Sequence, residues 1–156
     1  MRHLRTITEP AVLDAQQVDA IVDRLRAVCR QAPVVLLYLH GAHAANRQGP
    51  LSDVDLAVLL APDAARRENV AQQGELLASF QDACGRDDVD LCVLNSAGSI
   101  IKDRVVRSGR LLFARSEPER IGFETAAIKE GLDFAVFSRV YDDALFRRLR
   151  EGLFLG

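Results

Sequence analysis

The sequence predicts an α/β (α+β) fold, with a small mixed sheet of about four strands, flanking helices and a long C-terminal helix. Short runs of branched apolar residues alternate along the chain with longer segments whose apolar residues recur at helical spacing. This alternation is typical of domains that pack helices on a sheet. The chain has 156 residues and contains no internal repeat or long linker. We therefore expect a single domain with one core over residues 1–156.

The first part of the chain predicts one helix and two strands. Residues 14–30 carry an apolar stripe at helical spacing, which predicts an amphipathic helix. Residues 34–40 form a short apolar run that predicts a buried strand. Residues 41–52 are small and polar, which predicts a turn, a short helical piece and a loop. Residues 54–60 then predict a second strand, which Pro62 ends.

The middle of the chain predicts two more helices and two more strands. Asp63 is a candidate cap for a helix that runs to about residue 84, where a glycine closes it. Residues 89–94 predict the third strand, and residues 99–108 predict a short helix. Residues 111–113 predict a short fourth strand, which completes the sheet.

The last helix begins at Ser116-Glu-Pro-Glu119, which has the form of a capping box with proline in the first turn. It runs to about Arg150 and carries one stripe composed of Ile121, Thr125, Ile128, Leu132 and Val136. The later aromatic residues predict core or interface packing: Phe134, Phe137, Tyr141 and Phe146. The basic residues at 147–150 are typical of a solvated helix end, because cations suit the helix dipole there. Docking of an acidic partner is the alternative for this basic end.

Composition narrows the class of protein. Hydrophobic residues make up 49% and charged residues 27%, as in an ordinary globular protein, and the formal net charge is −2. A protein that grips a phosphate backbone is usually basic, so nucleic acid is not the expected partner. Three cysteines without CxxC spacing predict reduced core residues. No apolar run approaches the roughly 20 residues that span a bilayer, and the first residues lack an apolar signal region, so we expect the cytoplasm.

Acidic residues interrupt two of the predicted strands. Asp53 and Asp55 are two positions apart at the start of an apolar strand, so their side chains point to the same face. Asp90 lies in the next predicted strand. If the two strands are neighbours, the three carboxylates converge. Their mutual repulsion then favours a bound divalent cation, and Mg²⁺ takes carboxylate oxygens together with substrate phosphates. The alternative is that these residues have a structural role only. In that case Asp53 and Asp55 mark a turn that opens the strand, and Asp90 is an ordinary charge at a strand edge.

Gly41 directly follows the first strand, and a residue without a Cβ allows a phosphate to approach the backbone. If residues 42–47 start a helix, its free N–H groups face the same phosphate, and Arg47 is a partner by charge. His40 and His43 lack a third ligand at zinc-like spacing. We interpret them as a strand-end and a loop histidine, although His43 could also contact a nucleotide.

Together these residues resemble a known motif. Gly41-Ala42 is followed by ten residues and then by Asp53-Val54-Asp55. This is similar to the Gly-Ser, ten residues, Asp-x-Asp pattern of nucleotidyltransferases of the DNA polymerase β-like superfamily. The sequence around this motif resembles the minimal (MNT) branch of that superfamily. Residues 89–95, residues 109–113 and the terminal helix resemble it as well. The resemblance covers most of the chain.

The resemblance implies an antitoxin that transfers AMP from ATP, with two Mg²⁺, onto a hydroxyl of a HEPN-type toxin, most commonly a tyrosine. It assigns Asp53, Asp55 and Asp90 as the catalytic and metal-binding residues. It assigns four residues to the nucleotide: Gly41, Ala42, Arg47 and Ser52. The family serine is Ala42 here, and one lost neutral hydrogen bond of about 0.5–1.5 kcal/mol weakens ATP binding only about 2- to 10-fold. Two alternatives remain: an inactive antitoxin that neutralises by binding alone, and transfer to RNA or a small molecule.

Overall fold

The computed structural model describes residues 15–41, 54–66 and 70–150. In chain order, their elements are α1 (Ala15–Gln31), β1 (Val34–His40), β2 (Val54–Leu60), α2 (Pro62–Arg66), α3 (Val70–Cys84), β3 (Val89–Val93), α4 (Ser99–Ser108), β4 (Arg110–Ala114) and α5 (Glu117–Arg150). This order matches the prediction. The bounds of β1, β2 and α4 also match, because apolar runs and glycine or proline breaks mark them clearly.

The differences from prediction are local. The helix expected over residues 63–84 is present as α2 and α3, and residues 67–69 between them lie outside the described part. Asp63 does not cap that helix but lies within the first turn of α2, because Pro62 occupies its first position. Leu94 belongs to a turn rather than to β3, and β4 is one residue longer at each end than expected.

The four strands form one mixed sheet in the order β3-β2-β1-β4. β1 is antiparallel to both β2 and β4, whereas β2 and β3 are parallel. A parallel pair needs a long crossover, and α2 and α3 lie in that connection. The mixed four-stranded sheet with a long C-terminal helix confirms the predicted fold class.

Side chains alternate along each strand, so the sheet has two differently covered faces. One face packs against α1 and α3 and is called here the α1/α3 face. Its buried residues include Leu37, Leu56 and Phe80. The other, called here the α4/α5 face, buries Leu36 and Ala57 together with Val105 of α4. Both faces of the sheet therefore contribute buried residues to the core, and each face is covered by its own helices.

The α4/α5 face contains a buried polar connection between β1 and α5. Tyr38 is 1% exposed, and its hydroxyl donates a hydrogen bond to Oε1 of Glu124 at 2.9 Å. Arg120 donates to Oε2 of the same carboxylate, also at 2.9 Å. Burial and the Glu124 carboxylate together raise the pKa of Tyr38 well above its usual range. The hydroxyl therefore stays protonated and holds α5 against the sheet.

The long helix α5 begins as predicted but packs on a different stripe. The Ser116 hydroxyl accepts from the backbone N–H of Glu119 at 3.5 Å, as in a capping box, and also donates to Oε2 of Glu119 at 2.5 Å. The stripe that includes Ile121 and Val136 does not pack, since these two side chains are 54% and 66% exposed. Instead, Ala127 is buried, and Gly131 faces Asp103 of α4 so closely that an added Cβ would lie 2.6 Å from its Cγ. Small residues pack here because only they permit this close helix crossing.

The cysteines of the described part are free thiols, as predicted. Cys29 and Cys84 are buried, and Cys92 is half-buried. Burial raises the pKa of Cys29 to about 12 and also raises the pKa of Cys84 and that of Cys92. Among the helices of the described part, none combines the length and apolar character needed to cross a membrane.

Candidate active site

One edge of the sheet brings together residues that are distant in sequence. Because β1 runs against β2 and β4, its C-terminal end lies beside the start of β2, and β3 starts at the same edge. Asp55 is paired with Asp90 on one side and with His40 on the other. Paired residues point to the same side of a sheet. The three side chains therefore form a row across β3, β2 and β1.

The row lies on the α4/α5 face. Ala57, two residues after Asp55, packs in the core of that face, and Cys92, two residues after Asp90, packs against it. Alternation along the strands then places both carboxylates on the same side as these neighbours. Asp55 is half-buried and Asp90 is exposed, so the pair sits at the rim of the core rather than inside it.

A backbone hydrogen bond helps to hold the two strands that carry Asp55 and Asp90 in register. The N–H of Val54 donates to the carbonyl of Asp88 at 3.0 Å, which joins the start of β2 to the segment just before β3. Arg86 binds the carboxylate of Asp88 through two nitrogens. Within residues 15–41, 54–66 and 70–150, no lysine or arginine forms an ion pair with Asp55 or Asp90. In that part of the chain, the charge of these two carboxylates is therefore not balanced by a lysine or an arginine.

Gly41 closes the row at the end of β1, and its backbone requires glycine for two reasons. Its φ of +71° lies in the left-handed region that other residues rarely adopt. An added Cβ would also lie 3.0 Å from Cγ of Asp55 and overlap a carboxylate oxygen. From the sequence, Gly41 is predicted to have a role towards phosphate only. The contact shows that it also makes room for the Asp55 carboxylate, which a single sequence does not reveal.

The remaining predicted site residues lie outside the described residues: Ala42, Arg47, Ser52 and Asp53. The structure therefore brings together Gly41, Asp55 and Asp90, and the position of the third carboxylate stays a prediction. Within the described ranges, which leave out Asp53, no three histidine, cysteine or acidic residues form a group able to hold a metal ion.

The donor set that is described fits Mg²⁺. Asp55 and Asp90 supply hard carboxylate oxygens from adjacent strands. Mg²⁺ sites commonly use one or two carboxylates and complete their octahedral shell with water and substrate phosphates. The open rim position of Asp90 leaves room for such additional ligands.

His40 was interpreted from sequence as a strand-end residue, and it does end β1. Its pairing with Asp55 was not predicted. The alternation of β1 places residues 38 and 40 on one face, and that signal is visible in the sequence. Which residue of β2 faces residue 40 depends on the pairing register, which one sequence does not define.

Two neighbouring acidic strands with a left-handed glycine beside them are the arrangement expected of a nucleotidyltransferase site. The sequence matches the family described as polymerase beta, nucleotidyltransferase, over residues 24–118. The chain belongs to this family, which confirms the resemblance seen in the motif. Among curated relatives, the chain is 35% identical over 88 residues to the protein adenylyltransferase MntA of Shewanella oneidensis. That match covers 55% of this chain and 58% of the relative, so it spans less than two thirds of the relative's length.

Solved structures share the fold. The crystal structure of a toxin–antitoxin with AMP-PNP has a TM-score of 0.64 and 25% identity, and the match covers 80% of this chain and 98% of that one. A tri-AMPylated Shewanella oneidensis HEPN toxin in complex with MNT antitoxin has a TM-score of 0.61 at 23% identity. That match covers 81% of this chain and 98% of the other, and at this identity it bears on the fold alone.

Proposed function

We propose that this chain is a Mg²⁺-dependent protein adenylyltransferase that moves AMP from ATP onto a hydroxyl, expected to be a tyrosine, of a HEPN-type toxin. Through this transfer it acts as the antitoxin of that toxin. The observation that carries the proposal is the side-by-side placement of Asp55 and Asp90, with Gly41 against them, in a chain of the nucleotidyltransferase family. The adenylyltransferase relative and the similar toxin–antitoxin structure with AMP-PNP support the same reaction.

The proposed roles rest on the placement of Gly41, Asp55 and Asp90, and for the other residues on the sequence motif. Asp55 and Asp90, together with Asp53, are the residues that would hold two Mg²⁺. With Mg²⁺ held by these carboxylates, the site would gain positive charge that could neutralise the phosphates and favour ionisation of the attacking hydroxyl. Gly41 keeps the Asp55 carboxylate unobstructed and leaves the backbone open towards the phosphates. Three further residues complete the proposed nucleotide site: Ala42, Arg47 and Ser52.

The acceptor is proposed to be a protein rather than RNA. The formal net charge of −2 gives no general attraction for a phosphate backbone. The likeness to a toxin–antitoxin structure favours a hydroxyl on a partner protein. The reaction draws on ATP, and we place it in the cytoplasm.

A second function is supported by one residue. Ala42 stands where the resembling motif has serine, so one hydroxyl that could bind the triphosphate is absent. In this alternative the chain neutralises its toxin by binding alone. The two functions differ in whether neutralisation needs ATP and the carboxylates.

Transfer is tested by incubating the chain with its co-expressed toxin, ATP and Mg²⁺, and by measuring the intact mass of the toxin. We expect mass additions of one or more AMP units. Asp55→Asn and Asp90→Asn each remove a carboxylate charge and should reduce transfer at least ~100-fold, as loss of a group acting in the transition state does. Asp82→Asn makes the same chemical change at an exposed site on α3 and should leave transfer intact.

Several outcomes would contradict the enzymatic proposal. Undiminished AMP addition by the Asp55→Asn and Asp90→Asn variants would separate the activity from this site. Neutralisation of the toxin without ATP, and equally well by both variants, would favour the function by binding alone.

A further inference from the structure

The second half of α5 exposes apolar side chains on one side of the helix. Val136, Phe137 and Val140 are each 65–67% exposed, and Tyr141 is 60% exposed. The rings of Phe137 and Tyr141 stack at a centroid distance of 6.5 Å. Contiguous exposed apolar surface on a folded chain usually marks an interaction site.

Four exposed residues of this half of α5 and the half-buried Ala144 follow a coiled-coil pattern. Asp133, Phe137, Val140, Ala144 and Arg147 are separated by four, three, four and three residues. This is the spacing of the a and d positions of a heptad, so the five side chains line one narrow strip, called here the α5 seam. At about 100° per residue, the seam points well away from the side that buries Ala127 in the chain's own core.

The charges at the ends of the α5 seam indicate its occupant. Asp133 lies seven residues before Val140, and Arg147 lies seven residues after it. An antiparallel copy centred on Val140 therefore places each Asp133 opposite an Arg147. Arg148, which is exposed, extends the basic end, whereas Glu130 is paired with Lys102 of α4 within the chain. A parallel copy would place like charges together, so the arrangement favours an antiparallel pair.

We propose that two copies of this chain pair through the α5 seam as an antiparallel two-helix interface. Such an isologous contact brings the two Val140 side chains together at the two-fold axis and pairs Asp133 of each copy with Arg147 of the other. The seam is short, about 21 Å from residue 133 to residue 147 at 1.5 Å per residue. The pair should therefore be weak and depend on concentration. This proposal does not depend on the proposed adenylyltransferase activity.

Sedimentation equilibrium of the full chain, from micromolar to several hundred micromolar, tests the proposal. We expect the mean mass to rise with concentration from 17.2 kDa towards twice that value. Asp133→Arg and Arg147→Asp, made singly, place like charges across the interface and should weaken the dimer at least tenfold. The combined variant exchanges the charges and should restore pairing to within about threefold.

Asp142→Arg is the matched control, because it makes the same charge change on the opposite side of α5. It should leave the dissociation constant unchanged. Val140→Asp provides a second disruption and should give a monomer at all concentrations, with the circular dichroism of the parent. A parent chain that stays at 17.2 kDa throughout, or a folded combined variant that fails to dimerise, would overturn the proposal. The proposal would also be overturned if the seam variants lost binding to the toxin but dimerised as the parent chain does.

Discussion

The two faces of the sheet are built from the same alternating strands but differ in chemistry. The buried residues of the α1/α3 face are apolar, and Phe80 and Leu37 among them are fully buried. The α4/α5 face buries Tyr38 with its hydroxyl bound to Glu124, and carries Asp55 and Asp90 at its rim. One face thus supplies apolar packing, while the other combines packing with the polar groups of the proposed site.

The difference shows how a small sheet separates stability from chemistry. A side-chain period of two sends every second residue to the same face. Asp55 therefore sits on the opposite face from Leu56 and does not disturb its packing. Strand ends lie at the rim, where carboxylates remain partly hydrated and avoid the full penalty of burial. Substitutions on the α1/α3 face should consequently change mainly stability, whereas substitutions at the rim of the α4/α5 face should change mainly activity.

The largest expected effect is on the α1/α3 face. Phe80 is fully buried, so Phe80→Ala should leave a cavity and lower the free energy of unfolding by about 3–5 kcal/mol. Urea denaturation followed by circular dichroism measures this loss. Any variant that remains folded should keep its nucleotide transfer, because the ring lies on the other side of the sheet from Asp55. A selective loss of transfer with unchanged stability would break the comparison.

The next effect belongs to the site itself. Gly41→Ala adds a Cβ that overlaps the Asp55 carboxylate and forces a left-handed φ on alanine. A displacement of about 1 Å at a catalytic group can reduce the rate about 100-fold, and we expect a loss of that order in AMP transfer. Gly74→Ala is the control, since an added Cβ there meets nothing within 4 Å. Equal activity of the two variants would show that the Gly41 contact has no catalytic consequence.

The extent to which sequence predicted this arrangement differs between elements. Apolar runs with glycine or proline at their ends located β1, β2 and α4, and the capping box located the start of α5. The acidic residues and Gly41 were selected from their spacing. The convergence of Asp90 with Asp55 was expected if their strands were neighbours, and the pairing confirms it. The register that sets His40 beside Asp55 was not predictable, because it arises from pairing between separate segments.

The side of α5 that packs against the rest of the chain was also not predicted by the sequence pattern. Hydrophobicity favoured the stripe through Ile121 and Val136, whereas the helix packs through Ala127 and Gly131. Apolar character alone does not distinguish a side that packs within the chain from one that meets another molecule. Which side of α5 packs within the chain depends on how closely α4 approaches it. Small residues decide this more than large ones, because they allow the two helices to come close.

A smaller effect should appear at alkaline pH, chiefly through the α1/α3 face. The pKa of Cys29 is raised from 9.0 to about 12 by burial, so the folded state binds its proton more tightly than the unfolded state. This contribution is complete below pH 9 and is lost as pH rises towards 12. Between these values the free energy of unfolding should fall by about 1.4 kcal/mol per pH unit for this one proton.

Urea denaturation of the parent chain and Cys29→Ala at pH 8.0, 9.5 and 10.5 measures this dependence. The alanine variant starts lower in stability because it leaves a small cavity, but its pH dependence should be shallower by about one proton. Parallel profiles for the two proteins would show that the thiol does not titrate as its burial requires.

The smallest expected effect sharpens the comparison on the α4/α5 face. Tyr38→Phe removes the hydroxyl that donates to Glu124, while Arg120 still binds the other oxygen of that carboxylate. A hydrogen bond to a charged group contributes about 1.5–3 kcal/mol, and because Arg120 still binds the carboxylate, we expect the free energy of unfolding to fall by about 1.5 kcal/mol, the lower end of that range. Tyr141→Phe makes the same change at a 60% exposed ring and should shift stability by less than about 0.5 kcal/mol. If Tyr38→Phe also lowered AMP transfer several-fold, the buried bond would be shown to position α5 for the reaction. We expect transfer to be unchanged, since the ring itself still fills its place in the core.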